Sequence, residues 1–146
     1  TVMRRMRDYK MTPLSSYPKA APNSAGLAFD GLYLWTLDAK AKIIRKHLVD
    51  RELTEIAAYR WPGVKAAGLL FDGKLLWTLD AADRRLMGHR VERPDEIAVA
   101  ISLPEYSSGE FVPTGLAWDG ARFWTVGEAK DGKSPARLVR HKEEAR

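Results

Sequence analysis

Along most of this chain apolar and polar positions alternate in short runs, and Asp-Gly pairs separate the runs. One stretch occurs three times: Gly26-Leu27-Ala28-Phe29-Asp30-Gly31 with Trp35-Thr36, Gly68-Leu69-Leu70-Phe71-Asp72-Gly73 with Trp77-Thr78, and Gly115-Leu116-Ala117-Trp118-Asp119-Gly120 with Trp124-Thr125. Alternation over four to eight residues marks a half-buried strand. Asp-Gly between two such runs predicts a hairpin closed by a type I′ turn, in which both central residues take φ > 0. The first unit, over about 24–62, is predicted to hold strands at 25–29, 32–37, 43–49 and 54–61. The second, over 66–104, has them at 67–71, 75–79, 85–91 and 96–103. The third, over 113–142, has 114–118, 121–126 and 136–142, and no fourth.

One span reads two ways. Residues 43–60 alone carry a partial helical period through Ile44, Leu48, Ile56 and Tyr59. The matching span of the second unit contains Gly88 and Pro94, both poor in a helix interior, and then the β-rich run Ile97-Ala98-Val99-Ala100-Ile101. Units of one repeat share one structure, so both spans are predicted as two strands.

The glycines that open the three units lie 42 and then 47 residues apart. Four-strand units at that period match the blades of a β-propeller, so the expected fold class is all-β. The run Gly-Leu-Ala-(Phe/Trp)-Asp-Gly-x-x-x-Trp resembles blades of the six-bladed propellers of the NHL, TolB-like and glutamine-cyclotransferase-like groups, over residues 9–142. That resemblance implies the fold and leaves the activity open, because those groups include lactonases, lyases, cyclotransferases and pure binding modules.

The chain divides into a basic arm, 1–8, and a half-propeller domain, 9–146. Residues 9–17 are strand-like and end in Tyr17-Pro18, as the fourth strands of the first two units end in Trp61-Pro62 and Leu103-Pro104. The next Gly-Leu follows these prolines by 8, 6 and 11 residues. Residues 9–17 therefore have the register of a fourth strand placed before the first blade, and are expected to complete the third. Three blades are too few to close, since rings use about four to eight. A two-fold homodimer is expected to form one six-bladed ring, with 9–17 of each chain beside 136–142 of its partner. The other reading is that the chain is half of a longer propeller.

Composition narrows the partners. A net charge of +5 invites a nucleic-acid reading, but the basic residues are interleaved with nineteen acids. Only Arg4, Arg5, Arg7 and Lys10, and Arg137, Arg140, His141 and Lys142, are clustered. A solvated basic surface is the better reading, and no nucleic-acid partner is expected. No run of 18 apolar residues exists, so no membrane span is expected. The absence of cysteine excludes disulfides and thiolate metal sites and leaves cytoplasm and periplasm, after a removed signal, both open.

Candidate chemistry begins with three histidines at one repeat position. His47 and His89 lie 12 residues after Trp35 and Trp77, and His141 lies 17 after Trp124, the difference being an insertion around 130–134. Imidazoles suggest zinc, copper or nickel. On the third strand out from the axis, however, equivalent histidines sit too far apart to share an ion. A network within each blade is expected instead, joining them to Thr36, Thr78 and Thr125 and to the turn residues Asp30, Asp72 and Asp119. WD-repeat propellers use a Trp–Ser/Thr–His–Asp network of related composition. Trp35, Trp77 and Trp124 are read as packing between blades, with Trp61 and Tyr17 at corners between units.

Function in propellers usually lies where the loops after the second and fourth strands surround the axial channel. Those loops supply Asn23, Asp38, Lys65, Asp80, Glu105, Tyr106, Glu110, Glu128 and Lys130 as candidate binding residues. Oxygen ligands there could hold Ca²⁺, though carboxylates at such positions are also plain turn formers. No Gly-x-Ser-x-Gly, phosphate loop or His-Glu-x-x-His motif is present, and no catalytic residue or cofactor is indicated. Two function classes follow: a binding or assembly module for a protein, peptide or small ligand, and a small hydrolase or lyase of the lactonase or cyclotransferase kind.

Overall fold

The computed structural model describes residues 14–17 and 20–142. Among the described residues eleven strands form three antiparallel sheets, each a meander in chain order. The first sheet is β1 (Ser24–Phe29), β2 (Tyr33–Asp38), β3 (Ile43–Leu48) and β4 (Glu55–Arg60). The second is β5 (Ala66–Phe71), β6 (Leu76–Asp80), β7 (Arg85–His89) and β8 (Val99–Ser102). The third has three strands, β9 (Phe111–Trp118), β10 (Phe123–Ala129) and β11 (Arg137–Arg140). The span 43–60 is two strands, paired Ile44 to Tyr59.

The first strands of successive sheets lie against one another, β1 on β5 and β5 on β9, so the sheets fan out from a common inner edge. The glycines on these first strands have a direct packing reason. A Cβ on Gly26 would stand 2.6 Å from Cβ and 2.7 Å from N of Leu69 on the next sheet. A Cβ on Gly68 would stand 3.0 Å from Leu116 Cβ. Gly26 and Gly68 are thus notches that each receive the leucine of the following unit. Gly26→Ala puts a methyl against main chain and is expected to cost about 1–3 kcal/mol, read as a fall in the urea midpoint at unchanged slope.

Two apolar clusters fill the two junctions. Trp35, Leu37, Ile44 and Trp61 meet Leu69, Leu76 and Met87 between the first and second sheets. Trp77, Leu79 and Leu86 meet Leu116, Phe123 and Phe111 between the second and third. The Trp77 and Phe123 rings are edge-to-face at 4.7 Å, a favoured geometry of the ring quadrupoles.

Two sequence expectations need correction, and a third lies mostly outside the described residues. Within the Asp-Gly turns only the glycine has positive φ: 99° at Gly31, 101° at Gly73 and 98° at Gly120. Asp30 N–H donates to the Tyr33 carbonyl at 3.1 Å, so the loop residues are Gly31 and Leu32, not Asp30 and Gly31. Glycine takes the first central place because it alone adopts that φ without strain. Second, the β9–β10 hairpin runs on to Phe111 opposite Ala129, with a register shift at Gly127. Residues 111–113 and 127–129, outside the strands expected at 114–118 and 121–126, are therefore strand. Third, of the expected closing strand at 9–17, residues 9–13 lie outside the described residues and 14–17 form no strand.

Candidate functional site

Each sheet carries two separate polar arrangements. The first is at the turn. The indole N–H of Trp35 donates to Asp30 Oδ2 at 2.9 Å, Trp77 to Asp72 at 2.8 Å, and Trp124 to Asp119 at 2.7 Å. The other oxygen of each Asp accepts two backbone N–H groups, from Leu32 and Tyr33, Lys74 and Leu75, or Ala121 and Arg122. Turn and second strand are thus fixed by one carboxylate. At Asp30 and Asp72 burial pushes the carboxyl up, but the N–H donors outweigh it and hold both below the ordinary value. At Asp119 the Trp124 and backbone donors lower it to about 2.

The second arrangement joins neighbouring sheets. Trp61, at the corner after β4, donates its indole N–H to Thr78 Oγ1 on β6 at 2.9 Å. Thr78 lies 2.8 Å from His89 Nε2, and His89 Nδ1 lies 3.0 Å from the Glu96 carbonyl. A carbonyl only accepts, so Nδ1 carries the proton, Nε2 accepts from the threonine hydroxyl, and the threonine oxygen accepts from the indole. All donors in this buried relay are matched. At the next junction Tyr106 Oη is 2.6 Å from Thr125 Oγ1, which is 2.7 Å from His141 Nε2. His141 Nδ1 faces Glu105 at 3.6 Å. In the first sheet Thr36 and His47 pair at 3.0 Å, with Nδ1 on the Leu53 carbonyl, and no corner donor reaches Thr36 among the described residues. The turn aspartates pair with tryptophan, not with histidine, so the expected single network is two.

Burial lowers the His89 pKa, and the Glu96 and Pro94 carbonyls only partly oppose this. A depressed folded pKa means that the unfolded chain binds the proton more readily. Stability from His89 is therefore full above about 6.5 and lost as pH falls through the folded value. The turn aspartates add a second loss as pH drops from 3.8 toward 2. The thermal midpoint is expected to fall in these two windows, and His89→Ala, costing about 1–3 kcal/mol at neutral pH, should remove the first.

On the loop face the candidates separate. Asp38 and Asp80 are buried, not displayed. Asp80 accepts backbone N–H groups from Val64, Lys65, Ala82 and Asp83. Asp38 accepts from Lys40 and Ala41 and pairs with Arg45 at 3.0 Å. Their oxygens serve the loops, and among the described residues no three His, Asp or Glu side chains converge as a metal site. Tyr106, expected on this face, is the buried corner aromatic described above. Asn23, Lys65 and Glu110 are exposed, and their carbonyls accept from Ala39, Ala81 and Lys130, stitching the two loops of each sheet together. Glu105 has gone to His141. Glu128 and Lys130 are exposed.

A recess of about 580 Å³ opens between the two loops of the third sheet, lined by Ser108, Glu110, Phe111, Lys130, Asp131 and Ser134. Asp131 is spent on its own turn, accepting from Lys133 and Ser134. Lys130 and Glu110 are joined through their main chains at 2.9 Å, yet their side chains form no ion pair among the described residues. Sequence reasoning named both residues. No local signal in the sequence marks the corner residue Trp61 as a donor to Thr78, or Arg45 as the partner of Asp38.

No protein-family profile and no curated relative matches the chain. Solved structures do. A luciferin-regenerating enzyme superposes with a TM-score of 0.59 at 15% identity, over 80% of this chain and 44% of that one. The glutaminyl cyclase of Myxococcus xanthus gives 0.58 at 12% identity, over 80% and 55%. The hydrazine synthase of Kuenenia stuttgartiensis gives 0.57 at 16%, over 80% and 34%. The chain spans between a third and just over half the length of these structures. With their likeness, the three radial meanders define an all-β protein of propeller type.

Proposed function

We propose that the chain is a non-enzymatic binding module of propeller type, presenting its loop face to a small zwitterionic ligand or a peptide end. One observation carries this. The recess lies where the third unit departs from the repeat, and it sets Lys130 and Glu110, which form no ion pair among the described residues, beside Phe111. A cation and an anion at neighbouring positions suit a carboxylate and an ammonium on one ligand, with an apolar wall between. The titratable groups inside the sheets support the reading from the other side. The histidines and the turn aspartates are engaged in fixing turns and junctions, and carry no open coordination or proton-transfer geometry.

The competing reading is a hydrolase or lyase with its site at the channel mouth, which draws on the enzyme names of neighbours such as a glutaminyl cyclase and a luciferin-regenerating enzyme. A thermal-shift panel of amino acids, dipeptides, divalent ions and lactone and ester substrates separates the two. A dose-dependent shift with amino acids or dipeptides, abolished by Lys130→Glu and by Glu110→Lys, is expected. Turnover of a lactone or ester, or no shift with any zwitterion, would overturn the proposal.

A further inference from the structure

The two end faces of the arc carry the same parts as its two internal junctions, divided between them. At each internal junction a leucine of the later sheet enters the glycine notch of the earlier one: Leu69 at Gly26, Leu116 at Gly68. Leu69 is 6% exposed there. Its counterpart on the outer face of the first sheet, Leu27, is 63% exposed, and Phe29, the counterpart of Phe71, is 55% exposed. The outer face of the third sheet offers the other half. Gly115 stands where Gly26 and Gly68 stand, and a Cβ there would meet only Val126 Cγ1 of its own sheet. Trp124 holds the place of Trp35 and Trp77, and is half-buried where they are buried. Leu138 holds the place of Ile44 and Leu86; it is 68% exposed where they are 0% and 1%.

We infer that these faces are the two halves of one further junction, and that a second copy of this chain supplies the missing half to each. Leu27 of one copy enters the Gly115 notch of the other, and Leu138 and Trp124 are covered by Leu27, Phe29 and Leu34 of the partner. The occupant follows from fit. The apolar face that matches the notch side in residue type and register is the chain's own first sheet. A heterologous contact of this kind closes when the rotation permits and otherwise propagates. Two copies of this chain bring six sheets together, inside the range of about four to eight that closes. Both junctions of the pair are then alike, and neither apolar face is left to solvent. The inference is independent of what the loop face binds.

The test is the mass of this 146-residue chain by light scattering at micromolar concentration. Two chains per particle are expected for the unaltered protein. Leu27→Arg and Leu138→Arg place a charge on opposite faces at positions exposed in the single chain, so each variant should fold with an unchanged far-ultraviolet spectrum and run at the mass of one chain. A single-chain mass for the folded unaltered protein would overturn the inference and leave the faces to further blades or to another protein. A two-chain mass that survives both substitutions would overturn it as well, since the pair would then use another surface.

Discussion

Truncating Trp61 to alanine is expected to lower stability by about 3–5 kcal/mol, the usual range for removing a buried tryptophan. Two losses coincide at this residue. Its ring lies at 1% exposure in the first apolar cluster, with Gly63 flat against it. Its indole N–H is also the donor that fixes Thr78, which in turn holds the buried, neutral His89. Trp61→Phe separates the two, keeping most of the ring volume and removing the donor, and should cost about 1–3 kcal/mol. Chemical denaturation of the three proteins under one buffer checks this. Equal stability of Trp61→Phe and the unaltered chain would mean that the relay adds nothing to the junction.

Trp77→Ala is the second large effect, again about 3–5 kcal/mol, because the ring fills the junction to the third sheet and meets Phe123 at 4.7 Å. Trp124→Ala is the informative companion. Both tryptophans bond their turn aspartate, at 2.8 and 2.7 Å, so the polar part of the loss is shared. They differ in what covers the ring. In a single chain Trp124 has solvent on one side, with Arg140 above it at 5.5 Å. In a closed ring it is a junction residue like Trp77. Its substitution should then match Trp77→Ala in cost and, unlike Trp77→Ala, weaken pairing and so make the unfolding midpoint less dependent on protein concentration. Urea titrations at two protein concentrations read both differences.

Much of this was legible in the sequence, and the reasons differ from residue to residue. The strands were readable because alternation and Asp-Gly punctuation are local signals, and the repeat let Gly88 and Pro94 decide the ambiguous span at 43–60. The turn type was not readable, because Asp-Gly serves two loops one residue apart and the choice rests on where the aspartate oxygen finds donors. Asp38 and Asp80 were misplaced for a related reason. A carboxylate after a strand reads as surface, and only the fold shows the backbone N–H groups from another loop that converge on Asp80. Tyr106 was hidden by geometry. Trp61 reaches its threonine from the strand end, while Tyr106 does so from a short 3₁₀ turn three residues beyond the matching Leu103. The open end faces have no local signature at all, because Leu27 and Leu69 look alike in sequence and differ only in what lies beside them.

The claim that ties these observations together is that each end face fits the other end of a second copy. Mixing two folded single-face variants tests it most directly. Leu27→Arg chains keep an intact third-sheet face, and Leu138→Arg chains keep an intact first-sheet face. A mixed pair therefore has one native junction, which neither variant can form alone. At tens of micromolar, a two-chain species containing one copy of each is expected by native mass spectrometry, and none from the Leu27→Arg, Leu138→Arg double variant. A mixture that stays at single-chain mass, or pairs that form without regard to which face is intact, would contradict the account.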